Sequence, residues 1–89
     1  MIGQIFISKH HLLQNIAKQS KSPYERAFKM GVEIMKEIES KQLFHYTLTF
    51  QDNVAIFKEI IVHEGGQMSE VVELNLETGK YIVFYRRQA

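Results

Sequence analysis

The residues to weigh first for chemistry in this chain of 89 residues are four histidines, ten carboxylates and the hydroxyls of Ser8, Ser20, Ser22, Ser40 and Ser69; with no cysteine, thiol catalysis and thiolate metal sites are excluded. His10 and His11 are adjacent, so on a helix they point about 100° apart, and no carboxylate stands at a ligand interval from them. His45 and His63 belong to extended segments and, in the register favoured below, to opposite sides of a sheet. No metal site and no cofactor is expected. The serines occupy no strained strand-to-helix elbow, no HExxH pattern occurs, and no glycine-rich loop opens a helix after a strand. Glu59 and Glu70 stand out, since they fall on an otherwise apolar strand face, where burial and like charge raise a carboxyl pKa for acid/base work. The competing expectation places them at the margin of that face, or the register off by one.

These residues must be positioned by two kinds of element. From Gln42 to Arg87 the chain holds four runs rich in β-branched and aromatic residues, separated by three turn signals and free of proline, the pattern of an antiparallel meander. Before it, Ile2 to Ile7 reads as a strand that ends at Ser8, a cap for a helix over Lys9–Gln19 with Leu12, Leu13, Ile16 and Ala17 on one stripe. Ser22, Pro23 and Glu25 form a capping box that starts a long helix. Tyr24, Ala27, Phe28, Gly31, Ile34, Met35 and Ile38 then recur at intervals of three and four, giving an apolar face, with Gly31 allowing a close approach to a strand. The expected fold is α+β in the order β-α-α-β-β-β-β, one domain with the long helix packed on one face of the meander.

The sheet has two faces to account for. Leu43 to Phe50 alternates, with Phe44, Tyr46, Leu48 and Phe50 inward and His45, Thr47 and Thr49 outward, whereas Val54 to His63 is apolar on both parities. Taking Gly65 and Gly66 as the turn residues of the next hairpin sets Lys58 opposite Glu73 and Phe57 opposite Leu74. A turn at Gln51 and Asp52 then gathers Phe57, Ile61, Met68, Val72, Leu74 and Leu76 with the inward residues of the first strand, under the helix. In the last hairpin a β-branched Thr78 resists positive φ, so a three-residue loop with left-handed Gly79 is favoured, facing Ile82 and Phe84 inward. The other loop choice exchanges the two sets. Under the favoured one, Leu43, Ile56, Ile60, Val62, Val71, Tyr81, Val83 and Tyr85 form an apolar surface on the far side. A patch of that kind is covered either by the first helix or by a partner, most simply a second copy stacked sheet on sheet.

A nucleic-acid reading rests on Lys9, Lys18, Lys21, Arg86 and Arg87, with Tyr81 and Tyr85 as rings on which bases stack. The order of elements is similar to that of the RelE-like messenger-cleaving toxins, and Gly79, Lys80, Tyr81, Ile82, Val83, Phe84, Tyr85, Arg86 looks like their penultimate strand. The sheet half departs from that family in being acidic: residues 45–89 carry four Lys/Arg against six Asp/Glu, while residues 1–44 carry seven against four. No catalytic residue of the family is matched. Cystatin-like folds share the general layout, without their inhibitory motif.

Net charge is +1, too small to draw the whole molecule to nucleic acid, and no apolar run approaches the roughly 20 residues of a spanning helix. No membrane association is expected, and the lack of cysteine suits the cytoplasm. A chain this short buries a limited share of its surface, so a partner would help it. The expectation is a small non-enzymatic interaction protein, accessory or inhibitory, that forms a homodimer or docks another protein through the apolar sheet face. The rival is an RNA-binding or RNA-cleaving module that uses the basic residues named above.

Overall fold

The computed structural model describes residues 1–43 and 45–87. Three helices, α1 (Ile2–Ser8), α2 (His10–Gln19) and α3 (Pro23–Ser40), precede four strands, β1 (Tyr46–Gln51), β2 (Val54–His63), β3 (Gly66–Asn75) and β4 (Tyr81–Arg87). The strands form one antiparallel meander in the order β1-β2-β3-β4, and residues from all three helices share a core with one of its faces. The α+β class with a long helix over a meander holds, and the first element is the exception.

Ile2–Ser8 is a helix, not a strand. Ile2, Ile5 and Phe6 lie at helical spacing and are fully buried, whereas Ile7 is 67% exposed. A run of three apolar residues suggests a two-sided strand only when all three need burial, and here one helical face is enough. α1 lies directly against β3 and β2, with the Phe6 ring 5.2 Å from those of Phe57 and Tyr81. Ser8 does not cap α2. Its hydroxyl donates back to the Ile5 carbonyl at 2.9 Å, and Lys9 takes the cap position without a side-chain bond.

α3 starts at its Ser22 cap, but the reciprocal bond of the expected capping box reaches one residue further back, to the amide before the cap. Ser22 Oγ accepts the Glu25 N–H at 3.1 Å, and Glu25 Oε2 accepts the Lys21 N–H at 3.0 Å. The Lys29 ammonium, with help from that Lys21 amide, holds the Glu25 carboxyl below its ordinary pKa. The helix ends in a Schellman motif: Gln42 adopts φ 57°, its N–H donates to the Glu39 carbonyl, and the Leu43 N–H donates to the Ile38 carbonyl at 2.9 Å. The buried stripe of α3 is rotated from the expected one. Met30, Ile34 and Ile38 enter the core, while Tyr24 and Phe28 are exposed. No heavy atom comes within 4 Å of a Cβ built on Gly31, so that glycine mediates no close approach to a strand.

Both early hairpins turn two residue-positions away from the expected pairing. His63 pairs with Gly66 and Gln51 with Val54, which places Phe57 opposite Val72 and Leu48, and Lys58 opposite Val71 rather than Glu73. A shift of two preserves which side each residue faces. Tyr46, Leu48, Phe57, Val72 and Leu74 therefore face the helices as expected; Phe44, assigned to the same face, lies outside the described residues. The last hairpin differs by one, and the consequence is large. Its loop spans Leu76 to Gly79, closed by the Asn75 N–H donating to the Lys80 carbonyl, with Gly79 at φ 74°. This extra residue turns Tyr81, Val83 and Tyr85 toward the helices, and Ile82 and Phe84 away from them. The loop tucks beneath α2, where a Cβ on Gly79 would stand 3.1 Å from Ala17 Cβ and 3.2 Å from Gln14 Cα.

Candidate functional site

The two carboxylates face each other across β2 and β3, inside a cross-sheet row of Tyr46, Glu59, Glu70 and Tyr85. The start of α1 covers them. Glu70 is 1% exposed and accepts the Gly3 N–H at 2.7 Å on Oε1 and the Tyr85 hydroxyl at 2.8 Å on Oε2. The first bond satisfies a helix N-terminal N–H that burial would otherwise orphan, and the second ties the half-exposed Tyr85 to the same carboxylate. Glu59 is 5% exposed, and its Oε1 is buried without a hydrogen bond. Burial raises its pKa, and the Glu70 carboxylate adds to the rise against the opposing pull of the Met1 amino group and the Ile2 amide. The hydrogen bond to Glu70 in turn holds the Tyr85 phenol above its ordinary pKa. This constellation docks α1 on the sheet. Buried under a helix, its carboxylates are not an open acid/base site.

The far face of the sheet keeps only half of the expected surface. Ile56, Ile60, Val62 and Val71 lie there, joined by Ile82 and Phe84. Tyr81, Val83 and Tyr85 are on the helix side, and Leu43 belongs to the α3 terminus, where it packs on the core as the hydrophobic contact of the Schellman motif. α2 does not wrap round this face. It packs on α3, α1 and the β3–β4 loop. The middle of the face is charged, with Lys58, Glu73 and Arg86 around a cavity of about 390 Å³.

A largely apolar groove of about 780 Å³ opens between α3 and β1, walled by Tyr24, Phe28 and Val32 on the helix and by Leu48 and Phe50 on the strand. Tyr24 is 82%, Phe28 65% and Phe50 56% exposed. α3 is held to the sheet at two points that frame the groove: Arg26 Nη1 donates to the Leu76 carbonyl at 2.8 Å, and the Tyr46 hydroxyl contacts Met35 Sδ. Lys36, Glu39 and Asp52 sit at its rim. Beside it runs the outer edge of β1, whose sequence Tyr-Thr-Leu-Thr-Phe-Gln has neither charge nor proline. The sequence signal for the groove was available. With Met30 and Val32 added to the stripe already noted, the apolar arc of α3 is too wide for one contact surface.

The basic residues do not assemble into one patch. Lys9 bridges Glu33 and Glu37 at 3.5 and 3.4 Å and ties the α1–α2 junction to α3. Lys18 lies at the end of α2, beside the β3–β4 loop, whereas Arg86 and Arg87 end β4, about 20 Å along that strand. The His10 ring packs on Tyr81 at 5.7 Å, and among the described residues no group of three or more His, Asp or Glu is placed to hold a metal ion. No helix among them is long and apolar enough to cross a membrane. No family model, curated protein or solved structure matches the chain.

Proposed function

We propose that this chain is a small non-enzymatic interaction module that pairs with a second copy of itself through the α3–β1 groove and the edge of β1. The observation that carries the reading is an uncharged edge strand beside an open apolar groove. Natural sheets protect an exposed edge with lysine, proline, a bulge or a covering element, and β1 has no charge or proline of its own. Antiparallel pairing of two β1 strands about a two-fold axis would satisfy both edges and bring each groove against the partner's α3.

Size and charge support the same occupant. At about 200 Å² per ring, the exposed parts of Tyr24, Phe28 and Phe50 leave about 400 Å² of aromatic surface in water, within the range of functional patches. With the β1 edge this approaches the roughly 800 Å² per subunit of a standard interface. Lys36 on one rim, which is exposed although it also pairs with Glu33 at 3.5 Å, and Asp52 on the other set opposite charges facing each other between copies. Phe28→Glu and Phe50→Lys, both at exposed positions, are each expected to abolish self-association while leaving the circular dichroism spectrum and melting temperature of a folded monomer. Ile60→Lys on the far face is the control and leaves association intact. If Ile60→Lys dissociates the protein and Phe28→Glu does not, the far sheet face is the docking surface instead.

A further inference from the structure

We propose that the far face of the sheet holds a site for the phosphodiester backbone of a single-stranded nucleic acid, built by Lys58, Arg86 and Arg87. All three line the cavity of about 390 Å³ that opens on that face, together with Ile56 and Val71: Lys58 and Arg86 rise from the face itself, while Arg87, paired with Met68 on the helix-side parity, reaches it from the end of β4. Their charge is uncommitted. Among the described residues none of the three makes an ion pair, whereas Lys9, Lys29, Lys36 and Lys41 in the helical half are each paired with a glutamate. Lys58 and Arg86 rise from β2 and β4, about 12 Å apart on a diagonal across the intervening strand, a span that two long side chains close onto one or two phosphates.

The surroundings of these cations select the ligand. Val71 separates Lys58 from Phe84 in one cross-strand row, and the Arg86 guanidinium lies over the Phe84 ring at 5.1 Å from its centroid. With Phe84 beneath it, the guanidinium plane itself is the surface on which a base stacks while its phosphate meets the neighbouring cations, a combination that binds single strands without sequence preference. A concavity within a sheet admits a splayed base and its phosphate, while a rigid duplex would touch only the rim. Glu73, in the same cavity, opposes anions and limits affinity. The phosphodiester is common to RNA and DNA, and the 2′-hydroxyl separates them.

The test is fluorescence anisotropy of the full chain with a labelled eight-nucleotide single-stranded RNA, and with the matching DNA, between 50 and 200 mM salt. Three neutralised phosphates predict that this fourfold rise in salt weakens wild-type binding about 20-fold, whereas Lys58→Ala/Arg86→Ala, with one cation left, loses about 3-fold. Glu73→Gln is expected to tighten binding, and Lys18→Ala/Lys21→Ala to leave it unchanged. Equal affinity for RNA and DNA assigns the contact to the backbone alone, and preference for RNA adds the 2′-hydroxyl. None of the five substituted side chains, Lys58, Arg86, Glu73, Lys18 and Lys21, is buried, so unchanged melting temperatures verify that the variants fold. No binding at 50 mM salt, an unchanged salt slope in Lys58→Ala/Arg86→Ala, or tighter binding of a poly-glutamate peptide than of RNA would overturn the proposal.

Discussion

The same conservative substitution at two facing residues should have opposite signs. Glu70→Gln keeps the shape of the side chain but replaces one of its two acceptor oxygens by an amide that points its hydrogens at a donor, either the Gly3 N–H or the Tyr85 hydroxyl. Losing one hydrogen bond to a charged group costs about 1.5–3 kcal/mol, and relief of repulsion with Glu59 moves the value toward the lower end. For a chain of this size, whose total stability is about 4–13 kcal/mol, that is a large share. It corresponds to a fall in melting temperature of about 6 °C or more. Glu59→Gln removes a buried charge from an oxygen that has no hydrogen bond and keeps an acceptor for the Ile2 amide, so it should stabilise at pH 7. Urea titrations of the two variants with the slope checked for constancy would measure both. A loss at Glu59 as large as that at Glu70 would refute the assignment of Glu70 as the anchor of α1.

The pH dependence of the same pair has a definite sign. A carboxyl whose pKa is raised by folding binds its proton more tightly in the folded state, so stability grows as pH falls through that raised value toward 4.5. The stability difference between wild type and Glu59→Gln should therefore narrow on acidification, and a difference that is flat or widens would contradict the burial of an ionised Glu59. Ser22→Ala removes the cap on the Glu25 amide and should cost about 1 kcal/mol by thermal melting. Gly79→Ala should cost more than that, because a positive φ and two contacts near 3.1–3.2 Å with α2 both resist a Cβ; a neutral result would mean that the β3–β4 loop does not lie against α2.

Much of the fold was legible because sheet alternation and the capping box are local signals. Phe57, Val72 and Leu74 face the helices in either of two registers that differ by two residues, so an error in the turn position left their facing intact. The facing of β4 had no such protection. Its orientation depended on whether the Thr78-Gly79 loop held three residues or four, and the Asn75 hydrogen bonds that set it, to the Glu77 and Thr78 amides, are invisible to a periodicity reading. α1 was misread because the strand pattern of Ile5, Phe6 and Ile7 ignores Ile2, whose burial needs helical spacing. Glu59 and Glu70 were legible as an anomaly, and what explains them is the helix that was missed. The groove was hidden for a related reason: an apolar position on a helix is assigned inward by default, and only the rotation of α3 about its Met30–Ile38 stripe leaves Tyr24 and Phe28 in water.

The most direct test of self-pairing through the groove is the solution mass of the wild-type chain by light scattering across a concentration series. The account predicts a mass that rises from 10.4 kDa to about twice that value and stops there, with Phe28→Glu remaining at the monomer mass. A wild-type mass that stays at 10.4 kDa at every concentration, or one that doubles equally in Phe28→Glu, would contradict it.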